Sequence, residues 1–173
     1  MKDSAGPLTH FLAEDHRRLE RLLQRAVVCA GQVDQGVYDQ FRAGLLRHIG
    51  MEEKILIPAV QRWAGGEPLS LAVKLRLDHG AIAALLMLAP TAGLIVTLRK
   101  ILDEHNLGEE GLDGLYATCD KLAGGEIEVL LAKLRTAPKL SVLPHVNTPA
   151  VLDAVRRALD RAGYEYVGDW PSS

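Results

Sequence analysis

Apolar residues recur along this chain at intervals of three and four, the spacing of one face of an α-helix. Between Pro7 and Ala30 the stripe is Leu8, Leu12, Leu19, Leu23, Val27 and Ala30. "GQVDQG" interrupts it. A second stripe, Phe41, Leu45, Ile55, Ala59 and Trp63, predicts a helix from Val37 to Ala64. Pro58 should kink it, because a proline inside a helix removes a backbone hydrogen bond. "GGEP" ends that helix and places Pro68 at the first position of the next. Leu75, Ile82 and Leu86 mark a third helix, Leu69 to Ala89. Leu94, Leu98, Ile101, Leu112 and Tyr116 mark a fourth, Thr91 to Leu122.

Four helices of similar length joined by short turns predict an all-α, up-down-up-down four-helix bundle over residues 1–123. Residues 124–173 read as a C-terminal helical extension that packs on the bundle or on a partner subunit. It holds a short helix in "GGEIEVLLAKLRTAPK" and a last one in "NTPAVLDAVRRALDRAG". Thr148 caps the last helix, Pro149 takes its first position and Gly163 ends it. "YEYV" is the sole strand candidate. Residues 80–98 carry no charge and have the length of a membrane span. Yet "APTAG" divides them: Pro90 ends one helix and Thr91 caps the next, so no span is expected. The tip helix "AIAALLMLA" is apolar nearly all round and must be covered. Either the helix from Thr148 or a second copy of the chain can do so, and a homodimer is the expectation.

Composition narrows the class. The 173 residues are 48% hydrophobic and 5% aromatic, enough for one domain with a real core. The formal net charge is −2 and the basic residues are scattered along the sequence, which argues against nucleic acid as a partner. "MKDSAGPLTHFLAEDH" has no uncharged run resembling a signal peptide, so a cytoplasmic location is expected. Cys29 and Cys119 lie too far apart for a cysteine-based zinc site or a disulfide framework.

The stripes also carry polar residues. At 100° per residue, His16 falls between Leu12 and Leu19; His48 and Glu52 between Leu45 and Ile55; His79 between Leu75 and Ile82; His105 and Glu109 between Ile101 and Leu112. Each helix thus turns one histidine inward, and the second and fourth add a glutamate one turn later. The pattern repeats: "DH" then His-x-x-x-Glu, and again "DH" then His-x-x-x-Glu. Counted at about 1.5 Å per residue from the turns, the six residues reach one level of the bundle. Three readings compete. The first is core histidines bonded to glutamates, which leaves two buried carboxylates without a cation at high cost. The second is a single metal, for which six ligands are too many. The third is two metals bridged by the carboxylates and capped by the histidines, the reading favoured here. Imidazole and carboxylate together suit iron, with manganese or zinc as alternative occupants. Asp15 and Asp78 point about 100° away from the ligand histidines and read as solvated or ion-paired, as do Glu53 and Glu110. Tyr116 reads as a core residue whose hydroxyl needs a partner.

His16, "HIGMEE", His79 and "HNLGEE" resemble the hemerythrin-like family, the HHE cation-binding domain, over residues 8–120. The resemblance implies a bundle around a non-haem di-iron centre with an oxo, hydroxo or water bridge. It implies Glu52 and Glu109 as bridging ligands, His16 and His48 on one ion, and His79 and His105 on the other. Oxygen-carrying members have a fifth histidine one turn after the third-helix ligand; here that position is Ala83. His10 lies two turns from His16, too far along the helix to replace it, and His145 reads as a surface residue. The implied function is a binding protein for O2, NO or a related small redox ligand, in sensing, storage or scavenging. The rivals are a di-iron enzyme (oxidase, peroxide or NO reductase), an iron donor for cluster repair, and a scaffold with a structural metal.

Overall fold

The structure, a computed structural model, describes residues 5–172. Residues 1–4, the start of the stretch read for a signal peptide, lie outside it, as does the side chain of Ala30. The first rod is α1 (Pro7–Ala26). It ends earlier than the stripe predicts because Val27 turns extended and forms an isolated antiparallel bridge with Val33. The second rod begins with α2 (Gln35–Met51), capped by the Asp34 carboxylate, which accepts from the Val37 N–H. It passes through a π turn at Glu52–Leu56 into α3 (Ile57–Trp63). The π turn replaces the expected simple kink. The N–H of Ile57 donates to the carbonyl of Glu52, five residues back, directly before the proline that lacks an N–H.

The third rod, α4 (Ser70–Leu85), starts two residues after Pro68, so that proline precedes the helix instead of opening it. The fourth, α5 (Ala92–Glu110), is capped by the Thr91 hydroxyl as predicted. It does not run to Leu122. "GLDG" breaks it after Glu110 and α6 (Leu115–Ala123) follows. Gly114 returns so close to the end of α5 that a Cβ there would lie 2.4 Å from the Glu109 carbonyl oxygen. Leu112, predicted to face inward, sits on this turn and is 84% exposed. The carboxylate of Asp120 on α6 accepts from the Leu8 and Thr9 N–H groups, satisfying the open start of α1.

The extension comprises α7 (Ile127–Arg135) and α8 (Pro149–Ala162). Thr148 precedes α8, although its side chain makes no capping bond, and Gly163 ends the helix in the left-handed conformation. No strand forms at "YEYV" among the described residues. Leu152, Val155 and Leu159 of α8 share an apolar cluster with Ile82 and Leu85 of α4 and with Leu86 just after it. The tip helix is therefore covered by the chain's own C-terminus, which removes the reason for expecting a second copy there. The tail then crosses α5, where the Val167 N–H donates to Thr97 Oγ1. Trp170 docks by stacking on Tyr166, ring centroids 4.2 Å apart. No helix among the described residues is long and apolar enough to cross a membrane.

Two apolar clusters occupy the two ends of the bundle. Between them lies a layer of buried polar side chains that includes His16, His48, Glu52, Asp78, His79, His105 and Glu109. A polar layer sealed above and below by hydrocarbon is costly unless its groups satisfy one another or hold an ion.

Candidate metal centre

The six residues singled out from the sequence meet in this layer. His16 comes from the middle of α1, His48 from the last turn of α2, and Glu52 from the π turn one step later. His79 lies on α4, and His105 and Glu109 on α5. His16, His48, Glu52 and Glu109 form one group able to hold an ion, and Glu52, His79, His105 and Glu109 a second. Within each group the donor atoms lie within 4.8 Å of one another, and both groups share both glutamates. Glu52 Oε1 lies 3.1 Å from His48 Nε2, and Glu52 Oε2 3.1 Å from His79 Nε2. Glu109 Oε1 lies 3.1 Å from His105 Nε2, and Glu109 Oε2 3.4 Å from His16 Nε2. Each carboxylate therefore offers one oxygen to each group. Ala83 stands where a fifth histidine would be, His10 is exposed, and His145 is half-buried beside Gln35, away from the layer.

Four carboxylates read from the sequence as outward-facing do something else. Each accepts a hydrogen bond from the Nδ1–H of one imidazole. His48 donates to Asp15 (2.9 Å), His105 to Asp78 (3.3 Å), His79 to Glu53 (2.6 Å) and His16 to Glu110 (2.6 Å). The arrangement repeats across the two halves. The aspartate of each "DH" holds the histidine of the following rod, and the second glutamate of each "EE" holds a histidine of a neighbouring rod. A side chain 100° off the inward stripe misses the centre of the layer but reaches the flank of the next helix's imidazole. The doubled glutamates in "HIGMEE" and "HNLGEE" were the available signal. The consequence is chemical: Nδ1 keeps its proton, so Nε2 points inward and is the nitrogen that can give up a proton and offer its lone pair to a metal. The outer carboxylates are themselves held, Asp15 by Arg18, Asp78 by Lys74 and Glu53 by Arg76.

Tyr116 is a further member that periodicity assigned to the core. Its hydroxyl lies 2.5 Å from Glu52 Oε1, 3.0 Å from Glu109 Oε2, 3.1 Å from His16 Nε2 and 3.2 Å from His48 Nε2. It touches all four members of one group and makes the two groups unlike. Burial, then the charges of Glu109 and Glu52, push its pKa well above the usual phenol value, so its proton stays on Oη.

Burial presses each imidazole towards its neutral form, yet the carboxylates prevail. His48 is raised to about 10 by the charge of Glu52 and by Asp15. His79 is raised to about 11 by Glu109, Glu52 and Glu53, and His105 to about 9 by Asp78 and Glu109. His16 is raised by Glu109 and Glu110. Against burial, the facing imidazoles hold Glu52 below, and Glu109 well below, the usual carboxylate range. Protons on these imidazoles offset the buried carboxylates in the metal-free layer, and a bound cation would take over that role as it displaces them.

The residues fit a metal on two further counts. Glu52 Oε2 and Glu109 Oε1 are buried without a hydrogen-bond partner among the described residues, a costly arrangement that a cation relieves. The donor set is imidazole nitrogen and carboxylate oxygen, the set that borderline divalent metals favour. Among family models, the hemerythrin HHE cation binding domain matches residues 8–114, more than half of the chain. Comparisons with curated proteins and with solved structures returned no match. With its helical bundle, its repeated histidine–glutamate spacing and two buried groups able to hold metal, the chain belongs to the hemerythrin HHE cation-binding family and is a metal-binding protein.

Proposed function

We propose that the chain holds two iron ions and through them binds a small redox ligand, O2, NO or a relative, for sensing, storage or scavenging in the cytoplasm. The observation that carries this reading is the shared pair of carboxylates, each with one oxygen toward each imidazole pair. Glu52 and Glu109 would bridge, His16 and His48 would serve one ion, and His79 and His105 the other. Residues 1–123 form the metal-holding bundle and 124–173 an extension of it. Reduced iron with an unfilled coordination position supplies the affinity for a diatomic gas or a peroxide.

The chain's own residues set the terms of access. A cavity of about 250 Å³ opens between α1 and α5 against His16. Leu19, Leu23, Phe41 and Leu45 form its inner wall, while Arg99 and Asp103 stand among its polar lining. The apolar wall admits a small neutral molecule and disfavours water near the centre. A second reading, a di-iron enzyme acting as oxidase, peroxide reductase or NO reductase, is favoured by Tyr116. Its Oη holds a proton within reach of one half of the centre, which reduction chemistry consumes.

Adding O2 or NO to the dithionite-reduced, iron-loaded protein tests both readings by absorption spectroscopy. A stable new spectrum supports binding, and one that decays with ligand consumption supports turnover. An unchanged spectrum contradicts both. The outer carboxylates give a separate test. Asp15→Asn, Glu53→Gln, Asp78→Asn and Glu110→Gln should each weaken iron affinity about 10–100-fold, since each raises the basicity of one ligand imidazole. Competition against a chromophoric chelator measures this, and parental affinity in all four variants would exclude the role.

A further inference from the structure

Five of the chain's 20 lysines and arginines, scattered in the sequence, are brought by the fold to one groove between α1 and α2. Arg18, Arg21 and Arg25 line it from α1, Arg47 from α2, and Lys139 from the segment after α7. The groove is open to solvent and offers about 770 Å³, on a chain whose formal net charge is −2. Asp15 is the sole carboxylate in its lining, and both of its oxygens are engaged, by Arg18 and by His48. Arg21 pairs with Glu14, which stands outside the groove. The other three cations face no carboxylate among the described residues. Arg25 and Lys139 are exposed without an ion pair. Arg47 spends Nε and Nη2 on the carbonyls of Ala137, Leu134 and Arg135 at the end of α7, where the helix dipole offsets part of its charge without a carboxylate.

Those bonds also build the site. By binding the carbonyls of Leu134 and Arg135 at the end of α7 and of Ala137 just after it, Arg47 ties down the segment that brings Lys139 to the groove. Gly44 keeps the floor low. A Cβ there would lie 2.7 Å from Leu19 Cδ2 and 3.2 Å from Arg18 Nη2, so the glycine lets both α1 side chains rest against α2. Leu22 and Leu140 add apolar surface beside the cations.

We infer that this groove is a binding site for a small phosphate-bearing anion, of the size and make-up of a nucleotide. Guanidinium groups recognise phosphate oxygens through paired N–H donors. The volume matches that of small-molecule sites, and the leucines can take an apolar ring beside the phosphates. A nucleic acid would call for a longer track of charge. Here the cations ring a single concavity from three separate segments. The inference stands apart from the identity of the metal and of its ligand. The link Arg18–Asp15–His48 connects the groove to the centre, so an anion drawn to Arg18 competes with the carboxylate that orients a ligand histidine.

Calorimetric titration of ADP into the iron-loaded full-length protein at low salt tests the site. One ADP should bind per chain, more weakly as salt is raised. Arg25→Glu and Lys139→Glu should each weaken binding at least about tenfold, because both remove a cation and add a carboxylate. Lys100→Glu, an exposed charge reversal on α5 outside the groove, should leave affinity unchanged. The inference is overturned if ADP does not bind, if Lys100→Glu weakens it as much as the groove variants, or if a DNA duplex binds the groove more tightly than ADP. Metal content measured in each variant separates loss of this site from loss of the centre.

Discussion

Alanine at Glu109 should leave the purified chain with well under one iron where the parent holds about two, and alanine at Glu52 should do the same. The reason is that neither carboxylate belongs to one ion. Glu109 sets Oε1 against His105 and Oε2 against His16, and Glu52 sets its two oxygens against His48 and His79. Losing either removes a ligand from both positions and half of the negative charge at the heart of the layer. The metal-free chain should suffer as well. The His16, His79 and His105 imidazoliums would be left short of a counter-charge, and an uncompensated buried charge costs about 3–5 kcal/mol. Glu109→Gln keeps the shape and loses the charge, so it should lose metal like the alanine variant. Metal analysis and urea unfolding measure both effects. Parental iron content in Glu52→Ala and Glu109→Ala would show that the carboxylates do not bridge.

Acid should empty the centre, and loading it should release protons. In the metal-free chain the carboxylates raise His48, His79 and His105 to about 10, 11 and 9. His79 Nε2 and His105 Nε2 lie 3.1 Å apart, so one of that pair donates and the other accepts, and a metal must displace the Nε2 protons that are present. Loading two divalent ions at pH 7 should release about two protons, one from His48 and one from the His79–His105 pair, and affinity should fall about tenfold per ion for each pH unit of acidification. Titration calorimetry in buffers of different ionisation enthalpy counts them. Release of no protons would contradict ligation by these imidazoles. The same shifts fix the stability of the metal-free chain. A raised histidine pKa contributes stability that is complete below the ordinary value of 6.5 and is lost as pH rises through 9 to 11. The lowered glutamates contribute stability present above 4.5 that is lost as pH falls through their folded values. Metal-free protein should therefore melt highest between pH 4.5 and 6.5 and lower at pH 10, whereas loaded protein should hold its stability at pH 10.

Much of this was legible in the sequence because it follows a period. Leu8 to Leu23, Phe41 to Ala59 and Leu94 to Ile101 recur at helical spacing, and His16, His48, Glu52, His79, His105 and Glu109 fall in register with them. Features set by contacts between rods were not legible. Asp15, Asp78, Glu53 and Glu110 lie off the stripe, and only the neighbouring helix shows that each meets an imidazole. The break at "GLDG" contains two glycines that a 3.6-residue period passes over, so Leu112 was turned inward when it faces water. Tyr116 kept its inward direction across that break, but its place among four donor atoms depends on how α6 packs against the bundle. The basic groove joins residues about ninety positions apart, which no linear reading of charge reveals.

Whether this layer holds a pair of cations is decided most directly by crystals of the iron-loaded chain measured at the iron absorption edge. Two anomalous peaks should appear, one beside His16 and His48 and one beside His79 and His105, with Glu52 and Glu109 reaching both. A single peak, or peaks away from these six side chains, would contradict the paired centre.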